Sequence, residues 1–314
     1  MREAAVPAGV TAVTARTHGK VNLSLHVGAL GADGYHPLRT IFQSLALEEL
    51  VTARTREGDD RLVTVEVSGT DADRVPADGS NLAVRAARAL AAQVGREPRV
   101  ALEIVKAVPV AGGMAGGSAD AAATLLALDA LWGTGLSQRE LLDLGATIGA
   151  DVPFTVLGGT AEGSRRGDLL TPVPVVGTFH WVLAVRDDGL STAEVYRRFD
   201  SVGAPSGLGA ELDDDLRAGL AAGDAAAVGA ALHNDLQPVA VSMLPDLGRT
   251  LDAARAAGAA GAVVSGSGPT VAVLARREAD VPELLAALAA AGTSHRRVVT
   301  HGPVANPAPE PVAP

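Results

Sequence analysis

Pro109-Val110-Ala111-Gly112-Gly113-Met114-Ala115-Gly116-Gly117-Ser118-Ala119-Asp120 is the stretch around which the chain is organised. An apolar, strand-like run, 100–110, leads into it. Residues 121–132 leave it as a helix: Leu125, Leu128 and Trp132 recur at i, i+3 and i+7, and Gly133 stands where a helix would stop. A glycine-rich loop therefore joins a strand to a helix N-terminus. Glycines let the backbone approach a ligand closely and turn its N–H groups inward. The first helical N–H groups have no partner within the helix, and the helix dipole adds partial positive charge there. A phosphate suits both conditions, although loops of this composition also occur with no ligand. Two common explanations fail on the residues. Gly112 and Gly117 have Walker A spacing, but Ser118 stands where the lysine belongs, and the loop contains no G-x-G-x-x-G.

With 314 residues the chain is long for one domain and suitable for two. At 47% hydrophobic it can bury a sizeable core, and with only 3% aromatic residues each ring invites a question. The net charge of −10, with no block of Lys or Arg, argues against a nucleic-acid partner. The absence of Cys excludes disulfides and thiolate metal sites. Met1 to Ala15 lacks an apolar leader, and no apolar run long enough to span a bilayer is free of charge. The expectation is a cytoplasmic protein with no membrane partner.

Residues 1–11 read as a loose start and 12–16 as a short strand. From Gly19 to Val27 apolar residues (Val21, Leu23, Leu25, Val27) alternate with polar ones (Lys20, Asn22, Ser24, His26), which predicts a strand with one wet face. Lys20 and Asn22 share that face. The Asp33-Gly34 turn releases Tyr35 and His36, which are either surface residues or a pair able to stack on and hydrogen-bond a ligand base. Strands follow at 41–47, 51–55 and 62–67, with a charged turn at 57–61. Helix 82–94 has Ser80 or Asn81 as its N-cap, and Ser137 caps helix 138–148. Asp151, between Ala150 and Val152, is either a turn-capping residue or a carboxylate held for chemistry. Residues 158–172 read as a loop and domain joint. Beyond it come a strand at 180–185, helices at 192–199, 212–220, 225–232 and 245–257, and a break at 234–238. A strand–glycine turn–strand hairpin then spans 262–275, followed by a helix at 281–291 and a strand at 296–299. The Pro/Ala-rich segment 303–314 predicts a disordered tail. Strands and helices mix without strict alternation, so the class is α+β.

Three of these stretches together resemble the GHMP kinase superfamily. Residues 109–120 resemble its ATP-phosphate loop, the Lys20 strand its first motif, and Ser265-Gly266-Ser267-Gly268-Pro269-Thr270 its third. Lys20-Val21-Asn22-Leu23-x-Leu25, Ala32-Asp33-Gly34-Tyr35-His36, Phe42-Gln43, Gly149-Ala150-Asp151-Val152-Pro153 and Asn234-Asp235-Leu236-x-Pro238 narrow the resemblance to the 4-diphosphocytidyl-2-C-methyl-D-erythritol kinases of non-mevalonate isoprenoid synthesis. It implies an α+β, two-domain fold: a ribosomal protein S5 domain 2-like N-terminal domain at 12–170 and a ferredoxin-like α/β C-terminal domain at 171–302.

The resemblance also implies an ATP-dependent phosphotransferase with an alcohol acceptor, using ATP and Mg²⁺ and acting on a small molecule. The expected state is a monomer or weak homodimer. Asp151 falls on the family's general base and Lys20 on its catalytic lysine. The backbone of Pro109, Val110, Ala111, Gly112, Gly113, Met114, Ala115, Gly116, Gly117 and Ser118 falls on the phosphate loop, and Asn81 lies near the adenine. Asn22 and Thr192 match acceptor-side positions. Tyr35 and Tyr196 match two aromatics that sandwich cytosine, and His36 matches a residue bonding the cytosine edge. No protein ligand for Mg²⁺ is evident. Ala111, Ala115 and Ala119 depart from the common loop pattern. Ala at a positive φ is costly, so the expectation is an ordinary φ at Ala111 and Ala115, or a slightly different loop. The alternatives are another small-alcohol kinase of the superfamily, of homoserine or mevalonate type, and a catalytically inactive nucleotide-binding protein.

Overall fold

The computed structural model describes residues 10–56, 62–203, 208 and 213–313. The start of the chain through residue 9, the charged turn at 57–61 and Leu212, expected to open a helix, lie outside the described residues. In chain order the strands are β1 (Ala12–Val27), β2 (Leu38–Thr55), β3 (Val63–Gly69), β4 (Val100–Lys106), β5 (Thr160–Arg165), β6 (Leu169–Pro172), β7 (Phe179–Val185), β8 (His233–Asn234), β9 (Gly261–Val264), β10 (Val271–Leu274), β11 (Arg296–Gly302) and β12 (Glu310–Pro311). The helices are α1 (Leu82–Gln93), α2 (Gly116–Trp132), α3 (Gln138–Ile148), α4 (Val152–Leu157), α5 (Thr192–Val202), α6 (Asp214–Ala222), α7 (Ala225–Ala230), α8 (Gln237–Met243), α9 (Asp246–Ala256) and α10 (Val281–Ala291).

The pairs of short strands expected at 12–16 with 19–27, and at 41–47 with 51–55, are each one long strand. β1 and β2 pair antiparallel from Ala12↔Arg54 to Val27↔Leu38. The register shifts twice, between His18 and Lys20 and between Asn22 and Ser24. These irregularities flank Lys20 and Asn22, and a bulge re-aims the side chains beside it. Gly19 is not a strand end. A Cβ there would lie 2.8 Å from Val108 Cγ2, so the glycine permits a close crossing rather than a turn.

The larger sheet runs β12-β1-β2-β4-β3, with β5 on β2, β6 on β5 and β8 on β1; the smaller runs β11-β7-β10-β9. One face of the larger sheet packs against α1 to α4 through Val51, Leu102, Ile104, Leu90, Leu125 and Leu128. Small side chains let these helices approach closely: Ala83, Ala86, Ala87, Ala121, Ala122 and Ala123 are all buried there. The smaller sheet buries Val182, Val271 and Val273 against Leu247, Leu284 and Leu288 of α9 and α10. A third cluster joins the two sheets, with Val21, Leu23 and Ile41 on one side and Phe179, Trp181 and Leu183 on the other. Gln43 belongs to that junction, since its Oε1 accepts the Trp181 indole N–H at 3.2 Å. Residues 158–172, expected as a joint, instead supply β5 and β6 to the larger sheet. No helix among the described residues is long and apolar enough to cross a membrane.

The Pro/Ala-rich tail is placed, contrary to the disorder its composition suggested. Thr14 pairs with Glu310 and Val13 with Pro311. Asn306 Nδ2 donates to Thr155 O at 2.8 Å and Val156 O at 3.0 Å, and its Oδ1 accepts from His18 Nδ1 at 3.0 Å. Carbonyls in the last turn of α4 have no partner within the helix, and one side chain from the tail meets two of them. Composition reports what a segment can bury, not what a distant helix end needs. Asn306→Ala is expected to cost about 1–3 kcal/mol, because it leaves those carbonyls and the His18 N–H unsatisfied. The urea midpoint should fall with the m-value unchanged; an unmoved midpoint would mean the tail holds nothing.

Candidate active site

The glycine loop, 109–115, leaves β4 and enters α2. Its backbone turns at Ala111 (φ 59), Gly113 (φ 75) and Ala115 (φ 60). Both alanines therefore occupy the left-handed region, against the expectation of ordinary φ. Each such residue costs about 1–2 kcal/mol, so the fold must hold the loop in place. The bonds are identifiable. Met114 O accepts from Lys20 N at 3.1 Å. Gly113 O accepts from Ser265 Oγ at 3.1 Å, and Val110 N donates to Asp71 Oδ2 at 3.1 Å. Asp71 is bound in turn by Arg296 at 2.8 Å. Gly113 could be nothing else, since a Cβ would lie 2.2 Å from Ser265 O. Ala115, the N-cap of α2, offers no side-chain acceptor, so the first N–H groups of the helix stay available.

These N–H groups face a cavity of about 310 Å³, walled by the loop together with Pro76, Ser80, Asn81, Lys106 and Asp120. That is the low end of the volume of small-molecule sites. Asn81, rather than Ser80, caps α1: its Oδ1 accepts from Ala83 N at 2.8 Å and its Nδ2 donates to Pro76 O at 2.7 Å. On the opposite side of the loop, Thr270 Oγ1 is buried without a hydrogen-bond partner. It lies 2.9 Å from where a Gly112 Cβ would be. A buried hydroxyl left unpaired beside a bare stretch of backbone fits an anion placed on the loop.

The expected wet face of β1 is buried. Lys20 is 4% exposed and Asn22 3%. Lys20 Nζ donates to Asn22 Oδ1 at 2.6 Å and lies 3.7 Å from Asp151 Oδ2. Asn22 Nδ2 donates to Thr40 Oγ1 at 2.8 Å, and Thr40 donates onward to Ser24 O at 2.6 Å. Beneath the ammonium, 5.5 Å away, is the Phe42 ring, stacked on Phe154 at 4.8 Å. Asp151 precedes α4, yet its side chain makes no capping bond. Its carboxylate, with 35% of the side chain exposed, faces Lys20 and solvent instead.

The third motif closes against this pair. A Cβ on Gly266 would sit 3.5 Å from both Lys20 Nζ and Asn22 Oδ1. The residues at 261–275 form the expected antiparallel hairpin, β9 on β10. Asn234, read as a break and as the start of the Asn234-Asp235-Leu236-x-Pro238 motif with no role of its own, locks its turn: Nδ2 donates to Val264 O at 2.7 Å and to Gly266 O at 2.8 Å. Thr192 Oγ1 is 2.9 Å from Ser267 Oγ, which brings the start of α5 to the same place.

His36 and Tyr196 meet, with ring centroids 5.1 Å apart and planes at 38°. The Nδ1–H of His36 donates to Gly28 O at 2.8 Å, which leaves Nε2 near Asp200 Oδ1 at 3.4 Å. Burial, with the charge of Asp151 added, pushes the Tyr196 hydroxyl up to about 12, so it stays protonated. Tyr35 is 54% exposed with the Arg166 guanidinium 5.0 Å over its ring. Among the described residues no ring contact joins Tyr35 to Tyr196. Sequence reasoning missed Thr40, Arg166 and Asp200, none of which stands in a motif-like stretch, and gave Thr270 no role of its own within the third motif.

Among the described residues one cluster has metal-ligand types within 4.8 Å of one another, His26, His233 and Asp235. Its imidazoles stack face to face, 4.7 Å apart and 16° from parallel. The two Nε2 atoms bond Asp213 at 3.0 Å and Asp235 at 2.7 Å. In-plane lone pairs of stacked rings do not converge on a shared ion.

Comparison with known proteins gives the family. Residues 81–159 match the GHMP kinases N terminal domain, and residues 216–294 the GHMP kinases C terminal model. The 4-diphosphocytidyl-2-C-methyl-D-erythritol kinase of Thermobifida fusca (strain YX) is 51% identical over 298 residues, covering 94% of this chain and 97% of the relative. That of Streptomyces coelicolor is 51% identical over 282 residues, covering 90% and 93%. A crystal structure of 4-(cytidine 5'-diphospho)-2C-methyl-D-erythritol kinase superposes with a TM-score of 0.75 at 29% identity, covering 92% of this chain and 99% of that one. A homoserine kinase from Cytophaga hutchinsonii shares the fold, with a TM-score of 0.74 at 17% identity over 97% and 98% of the two chains. The chain belongs to the GHMP kinases and, within them, to the family of the 4-diphosphocytidyl-2-C-methyl-D-erythritol kinases.

Proposed function

We propose that this protein transfers the γ-phosphoryl group of ATP to the 2-hydroxyl of 4-diphosphocytidyl-2-C-methyl-D-erythritol. The observation that carries this reading is the placement of Lys20 and Asp151. Their 3.7 Å pair stands where the glycine loop, the Gly266 turn and the Tyr196–His36 side of the molecule converge. Phosphoryl transfer asks little covalent work of a protein and much positioning. The backbone N–H groups of 112–118 hold the β- and γ-phosphates. Asp151 Oδ2 accepts the proton of the attacking hydroxyl. Lys20 faces that carboxylate at 3.7 Å and neutralises charge developing on the transferring group. Asn22 orients Lys20 and the methylerythritol part, and Thr192 lies on the acceptor side.

Mg²⁺ takes oxygen ligands and commonly keeps several from phosphate and water. Ser118 Oγ in the cavity wall is the hydroxyl here that would join them, and the ion supplies neutralisation of phosphate charge. Asn81 bounds the adenine end while capping α1. His36 Nε2 and the Tyr196 ring recognise the cytosine on one side, with Tyr35 covering it from the exposed side.

Asp151→Asn should lower kcat by about 10²–10⁴-fold while calorimetry still registers ATP binding; near-full turnover would remove Asp151 from the mechanism. Tyr35→Ala should raise the KM of the cytidylated substrate far more than that of ATP. Equal changes would sink the stacking assignment. In a coupled ADP-release assay the cytidylated methylerythritol should be the substrate turned over, beside mevalonate and homoserine. Preference for either of those alcohols would overturn the acceptor assignment, and no turnover at all would favour a nucleotide-binding protein without catalysis.

A further inference from the structure

Three buried ionisable side chains lie under the glycine loop and take no part in the chemistry above. Lys106 ends β4. Its Nζ is 2.8 Å from Glu49 Oε1 and 2.7 Å from Asp120 Oδ2, and the three side chains are 1%, 0% and 3% exposed. Glu49, in the middle of β2, also accepts the backbone N–H of Val108 at 3.1 Å and of Ala107 at 3.3 Å. Asp120 lies in the second turn of α2. The cluster therefore ties the strand that enters the loop to the helix that leaves it, and both to β2.

The loop's other neighbours converge on the same knot. A Cβ on Gly116 would lie 3.1 Å from Val108 Cγ1 and 3.3 Å from Glu49 Oε1. Gly19 is pressed against the same valine, and the next residue, Lys20, donates its N–H to Met114 O. A shift of Lys106 relative to Asp120 would change the span of the loop and the seat of Lys20 together.

Stability is a poor reason for such a cluster, because apolar residues of similar volume are often as good or better. Two carboxylates also face one ammonium. Burial and the charge of Asp120 push Glu49 up to about 8, so near neutral pH it keeps a proton. What the arrangement supplies is directional: each group has one place to be. Asp120 and Lys106 also form part of the cavity wall, and Asp120 Oδ1 is buried without a partner.

We propose that Glu49, Lys106 and Asp120 are positioning residues for the nucleotide, a buried clamp that sets the span of the glycine loop and aims its N–H groups at the phosphates. The proposal rests on reading that loop as the ATP site. The test uses the full chain with Asp120→Asn, Glu49→Leu and Glu49→Gln. It records the Kd of a non-hydrolysable ATP analogue by calorimetry, the KM of both substrates, and the thermal midpoint. Asp120→Asn and Glu49→Leu should weaken the analogue by about 10–100-fold, the scale of loss from small misplacement, and raise the KM of ATP in parallel. The KM of the cytidylated acceptor should stay within about twofold, since the His36–Tyr196 pair proposed to hold its cytosine shares no hydrogen bond with the clamp. Glu49→Gln, which keeps the shape and bonding of the protonated acid, should recover most of what Glu49→Leu loses. An unchanged analogue Kd in Asp120→Asn and Glu49→Leu, with only the thermal midpoint lowered, overturns the clamp and leaves the ATP site standing. Should Glu49→Leu fail to fold, Asp120→Asn decides by the same criterion. A wild-type chain that binds no adenine nucleotide overturns both readings.

Discussion

An ammonium group buried in the strand to which the rest of the larger sheet is joined must be met by acceptors, and meeting Lys20 organises this molecule. Leaving such a charge unpaired in a protein interior costs several kcal/mol. Asn22 approaches along the same strand, Asp151 arrives from the helical layer, and the Gly266 turn arrives from the smaller sheet. Each partner belongs to a different part of the chain, so the site exists only when both sheets and the helices are assembled. The same residue that supplies the charge also supplies the backbone N–H that holds Met114. Lysine and loop are therefore fixed to each other by one residue's length.

The glycine loop shows how strain is distributed around such a site. Two alanines sit at φ 59 and φ 60, and the bonds that hold them come from β1, from the hairpin turn and from Asp71. Over-determination from several directions is what lets a sparsely populated backbone persist. The helices beneath contribute by being alanine-rich. Many of the side chains between α1, α2 and the sheet are alanines, so the N-terminus of α2 is brought close to the strands that carry the reacting groups.

Much of this was legible in the residues, and the misses share a cause. The strand, glycine loop and helix could be read because local chemistry decides them: a run of apolar residues, glycines, and a Gly at the C-cap. The hairpin at 261–275 and the Asn81 cap were legible for the same reason. The polar side of β1 was not, because alternation tells which residues share a face but not what covers it; here α4 and the Gly266 turn do. The φ values of Ala111 and Ala115 were misjudged because propensity is local and the compensating bonds are remote. The Pro/Ala segment was misread because Asn306 answers a need of α4 that lies 150 and 151 residues away in sequence. Asn234 and Thr270 were legible as motif members but not in their roles, which lie in what they face.

The return of the last residues to the first strand bears on how the chain is made. Val13 pairs with Pro311, Leu25 pairs with Asn234, and β2 on the other side of β1 is available early. During synthesis, β1 and β2 emerge before β12, so the edge of β1 at Val13 and Thr14 presents unpaired N–H and C=O groups until Glu310 and Pro311 reach it. An exposed edge is a template for the wrong partner. Residues 310 and 311 act as a late seal on that edge, so a chain cut before them would keep nearly all of its core and leave the start of its first strand open.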